Sequence, residues 1–361
     1  MKLSEQTFEI GPIRPPSEGG SNSLMLRTTR NCPWNKCRFC YGVVFDRKQF
    51  ELRTTKDIKQ DIDTIKTFAD EIRSRSWKLG CAGHITNEVL SDMAGRDPGL
   101  QTNESFFMVL NWLYSAAGTV FLQDANSLIM PSDQLVEILE YLKAAFPGIS
   151  RITSYARSKT IVKKSLHELM SINHAGLTRL HVGFETGDDN ILKDMNKGVT
   201  ADEHIRAGKK AKKAGFELSE YVMIDLGGRD RSGQHAESTA RVLTEINPDF
   251  IRLRPLRIRP DVPLFEDYQN GDFKLSTPHE RLREVKFLVE NLKITGRLCF
   301  DHFMNGWYLD RSRTQTLFKQ DYDGYKFPEE KEEVLKLIER GLSLDESIHL
   351  HYNEVTGLKH P

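Results

Sequence analysis

The hydrophobic and polar residues of this chain follow two patterns that alternate along its middle portion. Between Thr119 and Leu253, short apolar runs rich in β-branched and aromatic residues are each followed by a stretch in which apolar residues recur every three or four positions. The short runs are typical of buried strands and the longer stretches of amphipathic helices. Strands and helices in alternation predict an α/β fold with a parallel sheet and right-handed crossover connections.

Six pairs of strand and helix, or nearly six, are predicted when the apolar run Leu24–Thr28 is included. This number predicts a partial (β/α)6 TIM-type barrel over residues 1–272, followed by a mostly helical C-terminal extension over 273–361. Residues 79–117 predict a helical insertion, and the Pro-rich segment Gly11–Pro16 predicts irregular structure. The other predicted strands are 119–122, 151–155, 180–184, 218–224, 249–253 and 297–301, and the predicted helices begin near 55 and 131 or span 161–172, 201–214, 235–246, 277–293 and 329–341.

Alternation along the strand 180–184 assigns its two faces. The apolar side chains are those of Leu180, Val182 and Phe184, and the opposite side chains are those of His181, Gly183 and Glu185. We expect the apolar face to meet helices and the polar face to line the barrel interior. By the same argument Arg252 and Arg254 point inward, and polar residues at the C-terminal ends of strands are where α/β barrels place their active sites.

Composition and charge narrow the class of protein. The chain has 361 residues, 39% of them hydrophobic, and its 51 basic residues balance 51 acidic ones. This balance argues against broad electrostatic binding of nucleic acid, so we expect no nucleic-acid partner. No apolar run is long enough to span a membrane, and the polar N-terminus lacks a secretory signal, so we expect a cytoplasmic protein without a membrane partner.

Three of the five cysteines, Cys32, Cys37 and Cys40, fall at C-x4-C-x2-C spacing directly after the first predicted strand. Thiolates at this spacing can converge on one soft metal centre, and clustered cysteines in a reducing compartment indicate metal or redox chemistry. Three thiolates are one short of a closed zinc site or a fully ligated [4Fe–4S] cluster. An open iron site is one interpretation, and a zinc site completed by a distant His or Cys is the other.

The cysteine segment resembles the radical S-adenosylmethionine (SAM) superfamily, whose usual spacing is C-x3-C-x2-C with an aromatic residue before the last cysteine. Phe39 matches that aromatic residue, while the spacing here is a variant with one more residue. The resemblance spans roughly residues 12–305. Within the superfamily, the chain is similar to an uncharacterised subgroup. Its other motifs are Arg30–Asn35, Phe121–Asn126, Gly183–Gly187 and Asn196–Thr200.

The resemblance implies a class of chemistry. Cys32, Cys37 and Cys40 would hold three irons of a [4Fe–4S] cluster, and the amino and carboxylate groups of SAM would chelate the fourth. Reductive cleavage of SAM would give a 5′-deoxyadenosyl radical that abstracts hydrogen from a substrate in the barrel. The implied partners are a small-molecule or peptide substrate and an external low-potential electron donor of the flavodoxin or ferredoxin type.

The resemblance also suggests residues that bind SAM. Asp124 stands where the superfamily usually has a glycine-rich motif for the SAM amino group, and a carboxylate there can pair with the ammonium; an Asx turn is the alternative. Glu185 would bind the ribose hydroxyls, or would act as an acid at a helix N-terminus. Further candidates are Ser154 and Arg157 for the carboxylate or ribose, Gly227 near the adenine, and Lys197, for which a solvated surface position is the expectation.

Other residues are candidates for the substrate and its chemistry. Arg252 and Arg254 form a predicted cationic pocket for an anionic substrate group, with Tyr155 and Asn305 as further substrate contacts. His302 is the candidate proton donor or acceptor. Cys299 is either a hydrogen-atom donor or a buried inert cysteine.

Two functions from other classes remain open on the residues alone. One is an iron–sulfur electron-transfer protein without SAM cleavage, although neither Cys81 nor Cys299 is close to the triad in sequence. The other is a zinc-stabilised binding protein. Within the SAM-dependent class, the short segment before the first cysteine is too small for a cobalamin domain, and no second cysteine cluster is present for an auxiliary iron–sulfur centre.

Overall fold

A computed structural model describes residues 2–13, 22–40, 49–302 and 305–351. Residues 14–16 of the Pro-rich segment lie outside the described residues. The chain forms two compact units, which we describe separately. Unit 1 comprises residues 1–33, 49–155 and 167–179, and unit 2 comprises residues 34–48, 156–166 and 180–361. These units divide the chain by packing, and the boundary at 272/273 stays a prediction.

The elements follow one another in an α/β order. The strands are β1 (Leu24–Arg27), β2 (Thr29–Arg30), β3 (Glu51–Leu52), β4 (Thr119–Gln123), β5 (Arg151–Ala156), β6 (Leu177–Glu185), β7 (Glu217–Ile224), β8 (Phe250–Pro255), β9 (Arg297–Cys299) and β10 (Tyr325–Lys326). The helices are α1 (Thr55–Lys78), α2 (Asn87–Arg96), α3 (Glu104–Ser115), α4 (Ser132–Ala145), α5 (Ser158–Lys163), α6 (Leu166–Ala175), α7 (Asp189–Asp194), α8 (Ala201–Lys213), α9 (Ser232–Ile246), α10 (Leu264–Asn270), α11 (Pro278–Asn291) and α12 (Lys331–Ser343).

The strands of each unit pair mostly in parallel. In unit 1, β4 lies between β1 and β5, with Leu26 opposite Leu122 and Val120 opposite Ile152. In unit 2, β8 lies between β7 and β9 in parallel, and β10 closes that edge antiparallel to β9. The predicted α/β class with a mostly parallel sheet is therefore confirmed.

The hydrophobic periods explain why these elements form. In α1, Ile58, Ile62 and Ile65 lie on one face and are fully buried, and the Thr54 side chain caps the helix by accepting from Asp57 N. In α8 the capping box pairs Thr200 with Glu203. The predicted strands and most helices are found within a few residues of their expected bounds, and residues 79–117 are helical as expected.

The predicted helix 161–172 is wrong, because two helices, α5 and α6, take its place. Lys164 adopts an extended backbone and ends α5. The Nζ atom of Lys210 donates to the carbonyl oxygens of Val162 at 2.8 Å and of Lys164 at 2.9 Å. A lysine from a neighbouring helix thus satisfies carbonyls that would otherwise lack partners at the helix end. Sequence periodicity does not reveal such a partner, which lies 46 residues away from Lys164.

Several short elements escaped the sequence analysis, namely the β2–β3 pair, α7, α10 and β10. They are only two to seven residues long, too short for a hydrophobic period to be recognised. Among the helices of the described part of the chain, none combines the length and apolar character needed to cross a bilayer.

Candidate active site

The cysteine segment of unit 2 is anchored by backbone hydrogen bonds on both sides of Arg38. Arg38 N donates to Met195 O at 3.0 Å, and Leu264 N donates to Arg38 O at 2.9 Å. Cys40 N donates to Cys37 O at 3.3 Å, so the two cysteines flank one turn. Both are half-buried, as is Cys32, which belongs to unit 1.

Trp34 docks the same segment on the turn that joins α7 to α8. Its indole Nε1 donates to Asn196 O at 2.7 Å. Gly198 has a φ of +71°, and a Cβ atom there would lie 2.5 Å from the Trp34 ring. Arg157 covers the indole at 5.2 Å and donates to Lys197 O at 2.9 Å. The sequence motifs around Trp34 and Asn196–Gly198 are therefore two halves of one contact.

Phe39 lies in a hydrophobic cluster at the centre of unit 2. Its side chain is buried with those of Ile191, Met195, Leu226, Leu256, Ile258, Val262, Leu264, Tyr268 and Phe273. Cys37 and Cys40 pack against this cluster as partly buried residues. The two thiols thus have an apolar wall on one side, which limits access of water to anything that they bind.

Lys197 and Glu185 form a buried ion pair next to the cysteine segment. Lys197 Nζ lies 2.8 Å from Glu185 Oε1, and each side chain is 12% exposed. Burial disfavours the lysine charge, but the charges of Glu185 and Cys37 more than offset it and raise the pKa of Lys197. The expectation of a solvated Lys197 is therefore wrong, because its ammonium group turns inward to a carboxylate and lies over the ring of Phe39, 5.6 Å from the centroid.

Glu220, which the sequence analysis missed, is a third charged group of this region. Its side chain is buried, and its Oε2 atom has no hydrogen-bond partner among the described residues. Burial and the charge of Glu185 raise its pKa well above the usual value, while Lys197 opposes the shift. Burial and the Glu185 charge thus favour the protonated form of Glu220, whereas Glu185 is ion-paired with Lys197.

Asp124 organises the other half of the cysteine region, in unit 1. Its Oδ2 atom accepts from Arg27 Nε at 2.9 Å and from the backbone N of Asn31, directly before Cys32, at 3.1 Å. Burial raises its pKa, although the Arg27 charge opposes this. Its Oδ1 atom is buried without a hydrogen-bond partner among the described residues. The contact with a SAM ammonium stays a prediction. The structure shows in addition that Asp124 binds the backbone N of Asn31, the residue before Cys32.

Gln123, the preceding residue, holds the N-terminal segment of unit 1. Its Oε1 atom accepts from Gly11 N at 2.8 Å, and its Nε2 atom donates to Gly11 O at 3.0 Å and to Ile13 O at 2.9 Å. The strand-end motif Phe121–Asn126 therefore has a structural role at Gln123.

Three acidic residues at the C-terminal ends of parallel strands share a left-handed backbone conformation. Asp124 follows β4 with φ 74°, Glu185 ends β6 with φ 70°, and Asp225 follows β7 with φ 70°. Such φ values cost energy for residues other than glycine and cluster at functional sites. Each unit therefore has an acidic residue in a strained backbone conformation at the C-terminal end of a parallel strand.

Asp225 was missed because its partners Ser276 and Glu284 lie 51 and 59 residues away in sequence. Its carboxylate accepts from Ser276 N and Ser276 Oγ, the latter at 2.6 Å, and its own N donates to Glu284 at 3.0 Å. Burial and the Glu284 charge raise the pKa of Asp225 to about 7. Glu284 also binds His235 Nδ1 at 2.9 Å, and although burial opposes it, the Glu284 charge raises the pKa of His235.

Ser154 and Tyr155 lie in unit 1 and Arg157 in unit 2. Ser154 Oγ donates to Tyr155 O at 2.9 Å, and the Tyr155 ring meets Phe121 edge-on with centroids 5.3 Å apart. Arg157 is engaged with Trp34 and Lys197 as described above. Their roles toward SAM or substrate stay predictions.

Gly227 is packed tightly beneath the loop after β7. A Cβ atom there would lie 3.1 Å from Arg231 O and 3.2 Å from His235 Cβ. Its neighbour Gly228 has a φ of +64° and lies against Phe273 and Lys274. Close packing accounts for this glycine pair, and a contact of Gly227 with adenine stays a prediction.

The predicted cationic pair on β8 is held by an acid of the next strand end. Arg252 Nη1 donates to Asp301 Oδ2 at 2.6 Å, and Arg254 Nη1 donates to Asp301 Oδ1 at 3.0 Å. The Arg252 side chain is fully buried and also donates to Ser219 Oγ and Tyr322 O. Both arginines lie on the face opposite Ile251 and Leu253, as alternation predicts.

His302, Asn305 and Cys299 lie around the same acid in sequence. Burial and the Arg254 charge lower the pKa of His302 to about 4, so its imidazole is neutral at pH 7 and can accept a proton rather than donate one. Asn305 Nδ2 donates to Phe300 O at 3.2 Å and to Leu253 O at 3.4 Å. Burial raises the pKa of Cys299 to about 12, which keeps it a neutral thiol. The predicted roles of all three stay predictions.

Within the described residues, no group of three or more His, Cys, Asp or Glu side chains is arranged as a metal site. The cluster-ligand role of Cys32, Cys37 and Cys40 therefore stays a prediction. The donor set itself fits an iron–sulfur cluster, because thiolates are its usual ligands and Cys37 and Cys40 adjoin an apolar wall and a lysine ammonium. In unit 1, the Oδ1 atom of Asp124, which has no hydrogen-bond partner among the described residues, is a further acceptor for a polar ligand.

Comparison with known proteins places part of the chain in a family. Residues 117–241 match the radical SAM superfamily domain. The chain is 23% identical over 291 residues to the tRNA uridine(34) acetyltransferase of Methanocaldococcus jannaschii, covering 76% of this chain and 49% of that protein. It is 24% identical over 160 residues to Elongator complex protein 3 of Mus musculus, covering 43% of this chain and 28% of that protein. The chain thus spans about half the length of the archaeal relative and 28% of the length of the mouse protein.

Solved structures show weaker likeness. Methylornithine synthase aligns with a TM-score of 0.44 at 13% identity, covering 89% of this chain and 69% of that chain. Coproporphyrinogen III oxidase from Escherichia coli, a radical SAM enzyme, aligns with a TM-score of 0.45 at 14% identity, covering 78% and 54%.

Members of the superfamily are enzymes that use a [4Fe–4S] cluster and SAM. The matched residues 117–241 contain the motifs Phe121–Asn126, Gly183–Gly187 and Asn196–Thr200, whereas the cysteine segment lies outside them. The chain therefore contains a radical SAM superfamily domain at residues 117–241.

Proposed function

We propose that this chain is an enzyme that cleaves SAM reductively and uses the resulting radical to abstract hydrogen from a substrate. The observation that carries the proposal is the cysteine triad that follows β1 and the short β2 in a chain with a radical SAM domain. When bound, the cluster and SAM supply one-electron cleavage to methionine and a 5′-deoxyadenosyl radical. The protein contributes binding, orientation and exclusion of water.

In this proposal Cys32, Cys37 and Cys40 hold the cluster. Trp34 and the backbone of Arg38 fix the segment that carries two of them. Lys197 supplies a positive charge next to Cys37, which suits a site built from thiolates. Because Lys197 is paired with Glu185, the same ammonium also orients the carboxylate.

Glu185 binds the ribose hydroxyls in this proposal. Its Oε1 atom is held by Lys197, and its left-handed backbone directs the side chain back over Gly183. A Cβ atom at Gly183 would lie 2.6 Å from Glu185 Oε1, so glycine makes room for this orientation. Asp124 keeps Asn31 in place before Cys32 and offers its unpartnered oxygen to a ligand ammonium.

The substrate and the electron donor remain part of the proposal. An external low-potential donor of the flavodoxin or ferredoxin type supplies the electron. Two relatives are named for tRNA modification or Elongator function, so the expected exclusion of nucleic acid is not carried forward. The five cysteines, all described, form no disulfide, which supports a reducing, cytoplasmic setting.

An anaerobic reconstitution assay tests the proposal. The protein should bind about four iron and four sulfide per chain and release 5′-deoxyadenosine from SAM on reduction. A cluster without SAM cleavage would favour the electron-transfer alternative, and a colourless zinc protein would favour the zinc-stabilised alternative.

A further inference from the structure

The inward face of β8 in unit 2 carries more positive than negative charge. Arg252 and Arg254 both donate to the single carboxylate of Asp301. The charges that act on the nearby Cys299 thiol are those of Arg252, Arg254 and Arg297 against Asp301 alone. One carboxylate therefore serves more than one guanidinium in a buried environment.

The neighbouring Cys299 and His302 side chains add no negative charge to the pair. The Cys299 thiol is neutral because its pKa is raised to about 12, and the His302 imidazole is neutral because its pKa is lowered to about 4. Further contacts of the two guanidiniums include Ser219, the backbone of Leu253 and Tyr322, and the rings of Tyr221, Phe250 and Tyr322. A buried positive charge without a matching anion is costly.

Donor capacity is also left over at this place. Arg252 is fully buried, and its Nη2 atom has no hydrogen-bond partner among the described residues. Arg254 is the more accessible of the two, with 11% of its side chain exposed. Its guanidinium lies 4.5 Å from the centroid of the Tyr221 ring, which holds it in a fixed plane.

We propose that Arg252 and Arg254 form a binding site for an oxyanion, a carboxylate or a phosphate group of the enzyme's substrate. The planar guanidinium groups suit recognition of either anion. Asp301 keeps the two groups side by side, and a bound oxyanion would accept a hydrogen bond from the Nη2 atom of Arg252 and add a second negative charge beside the two guanidiniums. The assignment to a substrate rests on the proposed function, whereas oxyanion binding itself does not.

Phosphate and acetate are the probes for this site. The unfolding temperature of the full chain is measured against increasing concentrations of each anion, with chloride added to hold the ionic strength constant and without SAM or reductant. Saturable stabilisation by one of them is expected, and the more effective anion identifies the chemistry. Absence of saturable stabilisation by either anion overturns the proposal.

Two variants move binding in opposite directions. Arg254→Gln should weaken binding of the more effective anion about tenfold or more, since it removes charge-assisted hydrogen bonds to that anion. Asp301→Asn should tighten binding, because it removes the anion that competes for both guanidiniums. If both variants weaken binding equally, Arg254 and Asp301 are only structural and the proposal fails.

Two further variants protect the result from misfolding and from non-specific binding. Arg254→Lys keeps the charge and should bind more tightly than Arg254→Gln. Arg259→Gln removes an exposed arginine that is likewise paired with an aspartate, Asp261, at 2.9 Å, and should bind like the wild type. A loss in Arg259→Gln as large as in Arg254→Gln would contradict the site. SAM cleavage is measured separately, so failure of the proposed function is distinguishable from failure of this site.

Discussion

Lys197 Nζ and Glu185 Oε1 lie 2.8 Å apart, and together they occupy the space beside Gly183 where any larger residue would have its Cβ atom. The pair links the end of β6 to the turn that receives Trp34 of the cysteine segment. A change at either residue should therefore affect both stability and the proposed cofactor site.

Removal of the lysine charge should destabilise the protein. Lys197→Met leaves Glu185 buried without its cation, and such a broken pair costs ~3 kcal/mol. The free energy of unfolding, from urea denaturation of the full chain under anaerobic conditions, checks this value. The double variant Lys197→Met with Glu185→Gln should recover part of the loss. If the double variant is no more stable than Lys197→Met, the ion pair does not explain the effect.

Gly198 should be needed for the docking of the cysteine segment. Gly198→Ala places a Cβ atom 2.5 Å from the Trp34 ring, so the indole must move and the segment with it. We expect less iron per chain after reconstitution. Gly271→Ala is a matched control, because Gly271 also has a positive φ, 80°, but has nothing within 4 Å of its Cβ position. An equal loss of iron in both variants would show that backbone strain, which both variants share, is responsible.

Asp124 should position Asn31 and the cysteine that follows it. Asp124→Asn weakens the contact with Arg27 and the hydrogen bond from Asn31 N, hydrogen bonds to a charged group being worth ~1.5–3 kcal/mol each. We expect a lower unfolding free energy and a slower reconstitution of the cluster. Asp230→Asn is the control, because Asp230 is exposed and its carboxylate lies 3.9 Å from Lys274 Nζ. Unchanged reconstitution in Asp124→Asn would show that Asp124 does not position Asn31 and Cys32 for cluster binding.

Asp225 should make stability fall as pH rises. Its pKa is raised from 3.8 to about 7, so between these values the folded protein holds a proton that the unfolded chain has lost. The free energy of unfolding therefore decreases by at most ~4 kcal/mol as the pH rises to about 7, and it levels off above that pH. Asp225→Asn should flatten this dependence between pH 5 and 7 relative to the wild type. An identical slope in both proteins would assign the effect to other groups.

Much of the fold was accessible from the sequence because periods and strand ends are local features. The faces of β6 and β8 follow from alternation, and the cysteine triad follows from spacing. The partners of these residues were not accessible. Lys197 reaches back 12 residues to Glu185, and Lys210 ends α5 from a different helix. Tertiary contacts of this kind leave no periodic signal.

The candidate site shows the same division. Cys37, Glu185 and Arg254 were singled out as candidates because residue type and position at a strand end indicate chemistry, and their roles stay predictions. Glu220 and Asp225 were missed, since one acidic residue within an apolar strand and one after it give no motif. Their burial and raised pKa values depend on neighbours that only the folded chain brings together.

The central claim is that the triad holds a cluster which cleaves SAM, and one comparison tests it most directly. Wild type, Cys37→Ala and Cys81→Ala are reconstituted anaerobically, reduced with dithionite and given SAM, and 5′-deoxyadenosine is quantified. The account predicts release by the wild type and by Cys81→Ala, with loss in Cys37→Ala. An iron-loaded wild type that releases no 5′-deoxyadenosine, or a Cys37→Ala variant that releases as much as the wild type, would contradict it.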